Sequence, residues 1–208
     1  GIGGPAFVLA RKFGALVTGI DLEPQLIVRA TRRAAELGLS EQADFRTVAL
    51  GDLPFPDRNF DLVFTSGALT QTEDKSGIAA ECLRVLKPGG MLTCYDWLKD
   101  GAPISDDMRY FFKMEGLTYN LISLADLGRF LVDAGFEDVT MEDASDWYRR
   151  ESRREYDRMR GPGRSEVVAL IGESQAAHMI EDWRSMVVVC EKGELRQGYT
   201  RARRPGRH

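Results

Sequence analysis

The feature that most constrains this chain is an alternation. From residue 1 to residue 142, segments of helical apolar spacing and short apolar runs follow one another in turn. Residues 5–13 place Phe7, Val8, Ala10 and Phe13 on one helical face and stop at Gly14. Residues 15–20 form an apolar run that ends at Asp21, as a buried parallel strand would. Residues 24–37 read as a helix, with Pro24 in its first turn and Gly38 past its end. Strands are expected at 44–49, 60–65 and 91–96, with a helix at 76–86 halted by Pro88-Gly89-Gly90. The segment 123–134 opens on Ser123 with Asp126 three positions on, a capping-box pattern, and closes at Gly135. An alternating strand follows at 136–142, and 195–203 reads as a last strand. Such alternation means an open, doubly wound α/β sheet, mostly parallel, with helices on both faces.

Two segments break the pattern, 97–122 and 145–192. Their aromatic residues, among them Trp97, Tyr119, Trp147, Tyr148 and Trp183, suggest a helical cap over the carboxyl edge of the sheet. Val187-Val188-Val189 suits a strand or a buried helix equally. The last eight residues, 201–208, read as a frayed, solvated tail. At 208 residues the chain suits one domain, and no run approaches the roughly 20 apolar residues of a membrane span. Cys82, Cys94 and Cys190 are odd in number and lack metal-ligand spacing. With only His178 and His208 beside them, no metal site and a reducing cytoplasm are expected. A net charge of −4 argues against a general nucleic-acid binder.

The chain opens on Gly1-Ile2-Gly3-Gly4, a cluster that normally follows a buried strand. No strand precedes it, so the sequence is read as truncated at its N-terminus, with the first strand missing. Ligands of a doubly wound sheet bind outside the carboxyl ends of its strands. Glycines there let the backbone approach closely, and the following helix offers unpaired N–H groups. Asp21 lies 18 residues after Gly3, where a carboxylate can accept hydrogen bonds from both ribose hydroxyls of a nucleoside. Alone, these residues suit NAD, FAD or S-adenosylmethionine, or a tight turn without a ligand. Ala6 stands in the third slot of a G-x-G-x-x-G pattern counted from Gly1, which keeps NAD among the candidates.

Further strings follow in order: Gly51-Asp52-Leu53-Pro54-Phe55, then Asn59-Phe60-Asp61-Leu62-Val63-Phe64, then Leu83-Arg84-Val85-Leu86-Lys87-Pro88-Gly89-Gly90. With the opening glycines and Asp21 they resemble the class I S-adenosylmethionine-dependent methyltransferases over residues 1 to about 96. The resemblance implies that Gly1, Gly3 and Gly4 line the methionine and ribose part of S-adenosyl-L-methionine. It implies that Asp21 binds the ribose, that Leu22 packs on the adenine with Leu53 on its other face, and that Asp52 bonds the adenine amino group. Thr65, Ser66 and Gly67 would line the cofactor's amino-acid end. Asp52 also suits a simple turn, and Lys87-Pro88-Gly89-Gly90 is read as a turn without chemistry.

Methyl transfer from a sulfonium is an in-line displacement. The protein mainly holds the nucleophile about 3 Å from the methyl carbon and excludes water. The C-terminal half resembles small-amine N-methyltransferases, above all the phosphoethanolamine enzymes and more distantly the sarcosine/dimethylglycine ones. The residues that carry this are Tyr95-Asp96-Trp97, Tyr119-Asn120-Leu121-Ile122-Ser123, Ser145-Asp146-Trp147, Asp182-Trp183-Arg184 and Gly193-Glu194-Leu195-Arg196-Gln197-Gly198-Tyr199. The chain departs where phosphoethanolamine enzymes carry Arg-Asp and a catalytic His, since Ser66-Gly67 and Gln71 stand there. Glu115-Gly116-Leu117-Thr118 likewise offers no match for the arginine of their phosphate pocket. A different small amine or amino acid is therefore the expected acceptor.

Gln71 is expected to hydrogen-bond the acceptor near the methyl, or else to be a polar helix start. Asp96 suits the orienting of a cationic amine or the capping of a turn. Trp97, Tyr119 and Trp183 offer faces to an ammonium, worth about 0.5–2 kcal/mol each, although core packing is the stronger reading for Trp183. Arg149, Arg150, Arg153 and Arg154 suit a substrate carboxylate or, better, the solvated face of a charged helix with Glu151 and Glu155. The expected molecule is thus one α/β methyltransferase domain over 1–208, with an antiparallel last strand and an acceptor cap from 97–122 and 145–192. It would move a methyl group to a small molecule, first of all to an amine nitrogen. O-, S- or C-methylation, a cofactor-binding fragment without turnover, and an NAD-dependent oxidoreductase stand behind that reading. No nucleic acid or membrane is an expected partner, and the oligomeric state is left open.

Overall fold

The computed structural model describes residues 1–49 and 51–206. Two compact units make up the chain, Gly1–Phe55 and Pro56–His208.

In the first unit, helix α1 (Gly4–Phe13) starts after Gly3, whose positive φ of 83° turns the chain into it, and stops at Gly14. Strand β1 (Val17–Asp21), helix α2 (Pro24–Glu36) and strand β2 (Ala43–Thr47) follow. Glu23 caps α2 by accepting the Gln25 N–H at 3.1 Å. The strands pair in parallel, Val17 opposite Ala43 and Asp21 opposite Thr47, so both release their following loops at one edge. Phe7, Ala10, Ala34, Leu39 and Ala43 form the core, with the Phe7 and Phe45 rings edge to face at 5.6 Å. The expected buried strand at 15–20 is only partly buried: Leu16 is 83% exposed and Ile20 37%. Within this unit β1 pairs on one edge only, so its side chains are covered from fewer directions than a central strand's.

The second unit is built on strands β3 (Phe60–Ser66), β4 (Leu86–Lys99), β5 (Glu137–Asp143) and β6 (Leu195–Arg203), in the spatial order β3-β4-β6-β5. β3 and β4 are parallel, and β6 runs antiparallel to both β4 and β5. Only the last strand opposes the others, as expected. A single 3-10 turn (Leu69–Gln71) and helix α3 (Lys75–Val85) connect β3 to β4. Helix α5 (Leu124–Asp133) begins at the capping box read from the sequence: the Asp126 N–H donates to Ser123 Oγ at 3.1 Å, and that hydroxyl donates to the Asp126 carboxylate at 2.7 Å. Ala79, Leu86, Leu92, Leu131, Phe136 and Ala202 pack one core between α3, α5 and the sheet. The segments expected to form a cap are helical in large part, as α4 (Asp106–Glu115), α6 (Ser145–Arg160), α7 (Arg164–Ile171) and α8 (Glu173–Glu191), but Trp97–Lys99 continue strand β4 and 116–122 are not helical. Val187-Val188-Val189 lies in α8, which packs on α4 through Met108, Phe111, Met186 and Val189. No described helix is long and apolar enough to cross a membrane.

Two expectations change. Strand β4 begins at Leu86 and not at residue 91, so Lys87-Pro88-Gly89-Gly90 belongs to the strand, with Gly89 at φ 77° absorbing a local bend. The end of β6 is anchored and not frayed. The Arg204 guanidinium donates to the carbonyls of Leu83, Arg84 and Leu86 at 2.6–2.9 Å, satisfying acceptors that the last turn of α3 leaves open. Of the expected tail, Arg207 and His208 lie outside the described residues.

Candidate functional site

In the first unit the expected cofactor residues gather at the carboxyl edge of β1 and β2. Asp21, the last residue of β1, accepts the Glu23 N–H at 2.9 Å and faces the Gly1 amino group, which brings the carboxylate beside the glycine turn. Gly3 is the residue before α1 and gives it no side-chain cap, so N–H groups of the first turn stay open to a ligand. A side chain at Gly3 would also come within 2.6 Å of the Phe7 ring. Leu22 is half exposed beside Asp21, while Asp52 and Leu53 lie on the loop that leaves β2.

In the second unit a cavity of about 320 Å³ opens at the carboxyl ends of β3 and β4. Of the residues expected from sequence, Ser66, Gly67, Gln71, Asp96, Trp97 and Tyr119 all line it. Gln71 closes the 3-10 turn after β3 and does not start a helix. Asp96 is only 2% exposed and accepts backbone N–H groups from Thr70 at 3.2 Å and Trp97 at 2.9 Å, so it braces that turn as well as facing the cavity. Burial pushes its carboxyl up to about 6, against those donors and the charge of Lys75. The Trp97 indole donates to the Tyr148 hydroxyl at 2.8 Å, and its ring meets that of Tyr119 at 5.6 Å.

The structure places two expected residues elsewhere. The Thr65 hydroxyl is buried without a partner and does not reach the lining. Trp183 packs on the α4–α8 core and donates to Glu155 at 3.2 Å, in keeping with a packing role. The arginines of α6 form a solvated face: Arg149 pairs with Asp146 at 3.1 Å, Arg153 with Glu191 at 2.6 Å and Arg154 with Glu151.

Six lining residues were not among the site residues expected from sequence: Thr70, Tyr95, Glu115, Leu117, Tyr148 and Gln197. Thr70 and Gln197 are 4% and 1% exposed, and neither the Thr70 hydroxyl nor either end of the Gln197 amide has a hydrogen-bond partner. Glu115, the last residue of α4, shares hydrogen bonds with the Tyr119 hydroxyl and with Asp182 of α8. Burial, then the neighbouring Asp182 charge, raises the Glu115 carboxyl, and burial raises Asp182 as well. Gln197 carried a readable signal, since it falls in register with the inward-facing Leu195 of β6. Glu115 and Asp182 carried none, because only the packing of α4 on α8 joins them.

Comparison with known proteins follows this geometry. Residues 1–94 match the family described as Methyltransferase domain. Phosphoethanolamine N-methyltransferase 1 of Arabidopsis thaliana is 29% identical over 198 residues, covering 95% of this chain and 39% of the relative. Sterol 24-C-methyltransferase of Gibberella zeae is 33% identical over 160 residues, covering 71% of this chain and 42% of that one. The chain thus spans about two-fifths of the length of the curated relatives it matches. Among solved structures, phosphoethanolamine N-methyltransferase 2 of Haemonchus contortus, bound to phosphomonomethylethanolamine and S-adenosylhomocysteine, superposes with a TM-score of 0.90 at 20% identity, over 99% of this chain and 47% of that one. The fold is that of the class I methyltransferases.

Proposed function

We propose that this chain, whose residues 1–94 match the family described as Methyltransferase domain, transfers a methyl group from S-adenosylmethionine to a small molecule, with an amine nitrogen as acceptor. The observation that carries the reading is the Asp21 carboxylate held beside the glycine turn at the uncapped start of α1. This donor and acceptor set fits the cofactor. Open N–H groups suit an anionic or hydroxyl-bearing portion, and a carboxylate beside the glycine turn suits a ribose diol.

In this reading Asp21 accepts from the ribose hydroxyls, Leu22 and Leu53 cover the adenine, and Asp52 accepts from its amino group. When bound, S-adenosylmethionine supplies a methyl on a positively charged sulfur. The rest is positioning by this chain. The Trp97 and Tyr119 rings attract an ammonium and exclude water. Asp96 adds negative charge at the cavity, and Gln71 hydrogen-bonds the acceptor near the reacting nitrogen. Ser66 and Gly67 line the same cavity and belong to the cofactor's amino-acid end. The helices of 97–122 and 145–192 act as the acceptor cap, and 1–208 works as one methyltransferase domain. The three free, buried cysteines favour a cytoplasmic setting, and the charge of −4 favours a small-molecule partner over nucleic acid.

Calorimetric titration of S-adenosylhomocysteine into the chain tests the reading. Binding that weakens at least tenfold in Asp21→Ala is the expected result, and no binding to the unaltered chain overturns it.

A further inference from the structure

The cavity of the second unit holds an unusual combination. Gln197 stands in the interior of β6, paired in register with Trp97, and is 1% exposed. Both ends of its amide lack partners, and so does the hydroxyl of Thr70, which is 4% exposed on the same lining. A buried polar group without a partner is costly, and the large majority of buried side-chain polar atoms in folded proteins have one. A leucine at 197 would serve the fold better. The amide therefore lacks a partner that must come from outside the chain, one able to accept from its NH₂ and donate to its carbonyl. A hydroxyl group meets both requirements.

The charge of the lining narrows the choice. Asp96 and Glu115 line the cavity, and among the described residues no Lys, Arg or His does. Glu115 is backed by Asp182, hydrogen-bonded to it, and the Asp182 Oδ1 atom is buried without a partner. Burial raises both carboxyl groups, and the neighbouring Asp182 charge adds to the rise at Glu115. Lys75 lies behind Asp96, with its ammonium bonded to the Leu69 carbonyl and not on the lining. A phosphate or carboxylate in the cavity would face Asp96 and Glu115 with no cation to balance it. An ammonium would face two carboxyl groups and four aromatic rings, those of Tyr95, Trp97, Tyr119 and Tyr148.

We infer that the acceptor is a small amino alcohol without phosphate or carboxylate, its ammonium end held toward Glu115 and its hydroxyl read by Gln197 and Thr70. This rests on the methyltransferase reading for the word acceptor, but the recognition itself does not. Gln197 and Glu115 are then the residues that set specificity.

The test uses the full chain and calorimetric titration of ethanolamine, its N-methyl and N,N-dimethyl forms, and phosphoethanolamine. S-adenosylhomocysteine is titrated separately, so that loss of the cofactor reading is seen independently of the amine result. At least one of the three amino alcohols is expected to bind ten times or more tightly than phosphoethanolamine. Gln197→Leu and Glu115→Gln are each expected to weaken that amino alcohol tenfold or more. Gln197→Leu should do so with S-adenosylhomocysteine affinity and melting temperature undiminished. A smaller preference over phosphoethanolamine, no binding of any amino alcohol, or an unchanged affinity in both variants overturns the proposal. The ligand comparison on the unaltered chain decides even if a variant fails to fold.

Discussion

The two ends of the β4–β6 pair are made from the same strands and serve opposite needs. At one end Leu92 lies opposite Ala202 and packs with Leu86, Leu131 and Phe136 in an apolar core. At the other end Trp97 lies opposite Gln197, and beside the buried Leu98 and Leu195 stand buried polar groups, Asp96, Gln197 and Thr70. The first end excludes water from carbon. The second holds Asp96 on backbone N–H groups and leaves the Gln197 amide and the Thr70 hydroxyl without a partner. The difference teaches that one strand pair can serve packing at one end and keep unpaired polar groups at the other.

The comparison can be broken most directly at the apolar end. Leu92→Ala should lower unfolding free energy by about 3 kcal/mol, read from chemical denaturation, because a buried leucine leaves a cavity that the surroundings fill only in part. A loss below about 1 kcal/mol would mean that the two ends do not differ as described.

The polar end makes a prediction about pH. Asp96 has its carboxyl raised from an ordinary 3.8 to about 6 by burial. A carboxyl that holds its proton more tightly in the folded state favours folding below the unfolded value, and that contribution is lost as the pH climbs through about 6. The difference in stability between the unaltered chain and Asp96→Asn should therefore shift against the unaltered chain by about 2 kcal/mol between pH 4 and pH 7. Taking the difference at each pH removes the carboxylates held low, such as Glu181 near 2, which lose stability in the opposite direction as the pH falls. A flat difference would leave Asp96 an ordinary carboxylate.

The smallest effect belongs to neither end. Ser123→Ala should cost about 1 kcal/mol by opening the N-terminus of α5, with no change in amine or cofactor binding. Binding that changed along with stability would mean that α5 participates in the cavity.

Elements set by local chemistry were legible in the sequence. The Ser123 capping box, Gly14 after α1 and the alternation of 136–142 each act within a few residues, and the structure places α5, α1 and β5 accordingly. Elements set by distant packing were less so. The three valines of 187–189 needed the α4–α8 interface to become helical, and the glycines after Pro88 read as a turn until β4 took them as its first residues. The site divides in the same way. Positions at strand ends, such as Ser66, Gly67, Asp96 and Trp97, follow from where a doubly wound sheet binds its ligands. Glu115, Asp182 and Gln197 come from two helices and the last strand, and nothing near them in sequence announces that they share a wall.

The antiparallel seating of β6 has one further consequence. Its side chains alternate between faces with a period of two, so the sign of the cavity depends on counting. Arg196 and Gln197 are neighbours in the chain but point to opposite sides, and Arg196 is occupied with the Gly193 carbonyl and Asp143. One residue gained or lost in the short turn after α8 could bring a guanidinium to the place of the amide. The same slip would carry Leu195 and Ala202 out of their cores, so packing of those residues fixes which side chain of β6 faces the cavity.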